Sequence, residues 1–88
     1  METMDTRETI RGFIRQSFLK ESRGNNFHDD VSFIDGGIID SVGVLELVAF
    51  LEVTFGFRVE DEELIPENLD SVDKLVTYVN SKLAVIKP

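Results

Sequence analysis

The chain has 88 residues, with 17 acidic against nine basic side chains, a formal net charge of −8 and no cysteine. That length predicts one small domain over residues 1–88, and burying roughly 60–65% of its unfolded surface leaves a modest core and little space for an enclosed active site. The missing cysteine excludes a disulfide framework and a thiolate metal site and fits a reducing cytosol, and the acidity disfavours nucleic acid, whose phosphates need Lys and Arg.

The charge is uneven. Asp29 to Asp73 hold 13 acids and one base, Arg58, while both ends are mildly basic. An acidic middle suits partners with basic patches, because complementary charge steers encounter. The same charge opposes self-association, so a monomer is expected. The opening "METMDTRETI" has acids and no apolar run, unlike a signal peptide. No apolar run is long enough to span a membrane, and a cytoplasmic protein is expected.

A first helix is expected from about Asp5, with Glu8 three residues on resembling a capping box. Ile10, Phe13, Ile14 and Phe18 lie on one helical face, and Arg7, Arg11 and Arg15 on another that reads as solvated. From Glu21 to Ile39 the pattern breaks: "SRGNN" and "DGG" are turn chemistry. A loop of about 18 residues is long where medians are about 4–6. Phe33 and Ile34 are expected to pin it to the core.

A second helix is expected over Ser41 to Phe55, capped by Asp40 and closed by Gly56. Its buried stripe is Val44, Leu47, Val48, Leu51 and Phe55. Val42, Leu45, Phe50 and Val53 are apolar too, so the helix is either central or keeps apolar surface for a partner. In "FRVEDEELIPENL", Val59 with Leu64 or Ile65 anchors one or two turns that Pro66 ends. The last helix opens at Asp70 or Ser71 and buries Val72, Leu75, Val76, Val79 and Leu83. No segment reads as a strand. The fold class is all-α: three long helices, a short third helix and a long first loop.

Chemistry is sparse. His28 is the one histidine, no spacing ties it to Ser41, and Ser41 lacks the G-x-S-x-G elbow. The acids of "DDVSFIDGG" miss the calcium-loop order, since Val31 and Phe33 fall at ligand positions. "EDEE" reads as a solvated acidic face. No catalytic or metal site is expected.

Ser41 stands apart. Asp40 already caps the helix, so a second capping hydroxyl is redundant. Gly36 and Gly37 are expected to loosen the chain before the helix and leave the hydroxyl approachable. A helix N-terminus also favours a phosphate placed there.

"GGIIDSVGVLELVAFLEVTFGF" resembles the core of the acyl carrier protein family. Asp40, Ser41, Val42, Leu45, Glu46, Leu47, Leu51, Glu52, Phe55 and Gly56 fall on that family's pattern, and the order of elements agrees over essentially the whole chain. The resemblance implies a four-helix bundle that is not an enzyme. It implies a stand-alone carrier with 4′-phosphopantetheine on Ser41, next to Asp40, holding an acyl or aminoacyl group as a thioester. It implies docking through Val42, Leu45, Glu46 and Glu52. The implied partners are a phosphopantetheinyl transferase, a loading ligase and acyl-using enzymes with basic patches.

Two positions depart from the pattern. Gly43 stands where many fatty-acid carriers have an acid, and Val53 follows Glu52 where another acid is common. The docking face is thus expected to be less acidic and more apolar. "GGIIDSVG" is also similar to the "GLLDSMG"-type stretch of D-alanyl and aminoacyl carriers. The lean is towards a specialised carrier, with the cargo open: fatty acyl, polyketide, amino acid or sugar-lipid acyl chain. Two other classes compete: a helical module that binds partners non-covalently, and a hydrolase using Ser41 and His28.

Overall fold

The computed structural model describes residues 5–18 and 28–86. It is all-α, with helices α1 (Thr6–Phe18), α2 (Ser41–Phe55), α3 (Pro66–Leu69) and α4 (Val72–Ile86), plus a single 3-10 turn at Asp61–Glu63. Among the described residues there is no strand. The turn expected over Ser22–Asn26, Phe27 and the tail at Pro88 lie outside the described residues.

The Asp5 carboxylate caps α1, accepting from the Arg7 N–H at 3.1 Å and the Glu8 N–H at 3.4 Å. Ile10 and Ile14 are fully buried, and Phe13 and Phe18 pack at the core's edge. The arginine face is not merely solvated. Arg7 pairs with Asp29 (2.6 Å) and Asp73 (2.7 Å), and Arg11 pairs with Asp29 (2.5 Å). The correction has a physical reason: Asp29 of the loop and Asp73 of α4 are brought to this face, which periodicity within one helix does not reveal.

α2 begins at Asp40, whose carboxylate accepts from the Gly43 N–H at 2.8 Å. It ends at Gly56, where φ of +78° favours a residue without Cβ and the N–H reaches the Glu52 carbonyl. Leu47 and Leu51 are buried, while Val44, Val48 and Phe55 are partly so. The width of the apolar band has two causes. Phe50 stacks on Phe13 of α1 with ring centroids 4.0 Å apart. Val42, Leu45 and Val53 are left facing outward, at 71, 66 and 84% exposure.

Pro66 does not end a helical turn; it opens α3 at its first position. A proline there lacks only an N–H that the helix would leave unused, and its φ is already helical. The turn before it is held by Glu63. That carboxylate accepts from the Glu60 N–H (3.0 Å), the Tyr78 hydroxyl (2.9 Å) and the Lys82 ammonium (2.9 Å). The Glu60 N–H above all, then Lys82, with Tyr78 adding less, hold its carboxyl down at about 2. Burial first, and then the bond to Glu63, pushes the Tyr78 phenol up.

Ser71 caps α4, its hydroxyl accepting from the Lys74 N–H at 3.1 Å. Val72, Leu75, Tyr78 and Val79 are buried; Val76 and Leu83 are partly so. α4 packs against α1, α2 and α3 and is the common wall of the core. Phe33 of the loop is 1% exposed, but its neighbour Ile34 is 53% exposed. Of these two residues Phe33 is the buried anchor, because successive side chains diverge through the turn.

Candidate functional site

Ser41 is exposed at the first position of α2. Just before it, the chain folds into a closed turn. The Gly36 N–H donates to the Ser32 carbonyl (2.9 Å), the Gly37 N–H to the Ile34 carbonyl (3.1 Å), and the Ile38 and Ile39 N–H groups to the Phe33 carbonyl (2.8 and 3.3 Å). The glycines therefore do not loosen the approach to α2. Buried Phe33 and Ile39 anchor the turn that leads into Ser41, which is itself exposed.

Beside Ser41 opens a cavity of about 280 Å³. The loop contributes Phe33, Ile34 and Ile39, α2 contributes Val44 and Leu47, and the α3 side contributes Leu64, Ile65, Pro66 and Leu69. Among the described residues that line it, Ser41 and Asp70 are the polar members, and Ser41 is the sole hydroxyl. The cavity was not visible in the sequence, where Ile34 reads as pinning the loop and Leu64 or Ile65 as anchoring a turn, without bringing them together beside Ser41.

Asp70 does not cap α4. Its carboxylate accepts from the Ser32 hydroxyl (2.5 Å) and the Ile34 N–H (3.1 Å), and its carbonyl accepts from the Phe33 N–H (2.8 Å). Residues 36 to 38 positions apart meet here, a pairing without any local signal.

Gly43 is buried rather than part of an outward face. A Cβ there would lie 2.9 Å from both Ile39 Cγ2 and Phe18 Cε1. The lack of an acid at 43 thus answers a steric demand. Val42, Leu45 and Glu46 are exposed on α2, but Glu52 is half-buried and its carboxylate accepts from the Val59 N–H at 2.8 Å.

His28 is exposed and borders a separate polar depression with Arg7, Arg11, Asp29, Asp30 and Asp73. It does not line the cavity at Ser41. In that cluster the Asp29 carboxyl is raised by burial, but hydrogen bonds from Arg7 and Arg11 outweigh this and lower it overall.

The family described as "Phosphopantetheine attachment site" matches residues 9–79. The chain belongs to this family. It is 32% identical over 76 residues to the D-alanyl carrier protein of Streptococcus suis (strain 05ZYH33), covering 86% of this chain and 92% of that one. It is 30% identical over 57 residues to the D-alanyl carrier protein of Abiotrophia defectiva, covering 65% and 72%. It is 40% identical over 55 residues to the acyl carrier protein of Renibacterium salmoninarum, covering 62% and 65%. No solved structure matches it. The chain is thus a carrier rather than a catalyst, and its cofactor is covalently attached 4′-phosphopantetheine. Carriers of this kind work with transferases and ligases. Among the described residues no helix is long and apolar enough to cross a membrane.

Proposed function

We propose that Ser41 is the attachment point of the 4′-phosphopantetheine arm, within one carrier domain over residues 1–88. The observation that carries this reading is that Ser41 is the sole hydroxyl among the described residues lining an apolar cavity and is itself exposed. The surrounding residues fit the arm. The positive end of the α2 dipole lies at Ser41 and favours a phosphodiester there. Asp40 keeps the helix capped whether or not the hydroxyl is used. When bound, the arm supplies a thiol that holds the cargo as a thioester. The apolar cavity wall gives an apolar acyl group a place out of water.

The cargo is an acyl group, and two D-alanyl carriers among the relatives favour a second reading, an aminoacyl cargo. Val42, Leu45 and Glu46 form the docking surface for a phosphopantetheinyl transferase, a loading ligase and acyl-using enzymes with basic patches, with Glu52 at its margin. The carrier operates in the cytoplasm.

The test is arm transfer from coenzyme A by a phosphopantetheinyl transferase. The wild-type chain gains one arm in intact mass and Ser41→Ala gains none. A gain that survives Ser41→Ala overturns the reading. Loading of the armed protein with D-alanine or a medium-chain acyl group by the matching ligase then separates the two cargoes.

A further inference from the structure

We propose that Asp70 is a positioning residue for arm attachment, acting through the turn that leads into Ser41. This rests on the reading of Ser41 as the tether.

Asp70 sits between α3 and α4 and touches the loop at three points: the Ser32 hydroxyl, the Ile34 N–H and, through its carbonyl, the Phe33 N–H. The Phe33 carbonyl in turn accepts from the Ile38 and Ile39 N–H groups. Asp40 and Ser41 follow directly. Two layers of hydrogen bonds therefore connect Asp70 to the backbone that delivers Ser41. Asp70 also lines the cavity at Ser41, together with Ile34.

Burial does not make Asp70 redundant. Phe33 and Ile39 are buried and fix the turn's inner side, but Ile34 is 53% exposed, so burial alone holds it only weakly. The bond from its N–H to Asp70 holds that part of the turn in place. A transferase must find the serine and the loop beside it in one arrangement. Loosening the turn makes the chain order it at each encounter, which lowers affinity more than turnover.

The experiment compares wild type with Asp70→Ala, Asp70→Asn and Ser32→Ala, using a phosphopantetheinyl transferase with coenzyme A and, separately, amide hydrogen exchange on the unloaded proteins. Asparagine keeps an acceptor for the Ile34 N–H and a polar group for Ser32, so it serves as the rescue. Asp70→Ala removes both side-chain hydrogen bonds and raises the KM for the carrier about tenfold or more, since one hydrogen bond to a charged group is already on that scale, and leaves kcat nearly unchanged. Asp70→Asn restores most of the loss, and Ser32→Ala falls between. Exchange quickens at Ile34 and Gly36 to Ile39 and stays unchanged in the middle of α4. An unaltered KM in folded Asp70→Ala overturns the proposal. So does an asparagine variant as impaired as alanine, or faster exchange throughout α4, which marks a general structural role. A wild-type chain that takes no arm on Ser41 refutes the tether reading instead, and exchange of the turn still reports whether Asp70 holds it.

Discussion

Three of the four residues from 40 to 43 have distinct settings at the start of α2. Asp40 caps the helix, Ser41 is exposed, and Gly43 lets the helix approach Phe18 and Ile39. Asp40→Ala should cost about 1 kcal/mol, the usual value of an N-cap, in chemical unfolding. Ser41→Ala should leave stability within about 0.5 kcal/mol, as exposed substitutions do, while abolishing arm transfer. Gly43→Ala is expected to destabilise. Helix propensity returns about 1 kcal/mol, but a methyl forced within 2.9 Å of two side chains costs about 1–3 kcal/mol or more. A stabilised Gly43→Ala would show that Phe18 and Ile39 move aside freely.

The helices themselves were largely legible. Apolar spacing in α1, α2 and α4 and the capping pair Asp40 and Gly56 are local signals, and each has its structural counterpart. The α3 region was not legible. Pro66 carries the same local signal whether it ends a turn or begins one, and the choice is made by Glu63 binding Tyr78 and Lys82 of α4. The cavity at Ser41 was illegible for the same reason: its walls come from three elements joined by contacts through Phe33 and Asp70. The Glu63 anchor has a pH signature. Its carboxyl titrates near 4.5 when free and at about 2 when folded. Its contribution is therefore complete above the free value and is lost as the pH falls from there towards about 2. In urea unfolding, wild type should exceed Glu63→Gln by a constant margin above pH 5, and the margin should close below it. A margin independent of pH would show that the anchor does not depend on charge.

Across the whole molecule, acids crowd the middle of the chain, yet several are already engaged by their own fold. Glu52 binds the Val59 N–H, Glu63 binds α4, Asp70 holds the loop, and Asp29 pairs with two arginines. What α2 leaves outward is mostly apolar: Val42, Leu45 and Val53, with Glu46 among them. Docking should thus divide into two parts. Glu46→Lys should weaken arm transfer several-fold at low salt and little at high salt, because exposed charges are screened beyond about 10 Å at 0.1 M. Leu45→Ala should weaken it at either salt. Steady-state kinetics in two buffers separate these outcomes, and indifference to both changes would move docking off α2. The most direct measurement is fragmentation mass spectrometry of the protein after transfer from coenzyme A. The arm is expected on Ser41 within the peptide Gly24–Arg58. An arm located on any other residue would contradict the central claim.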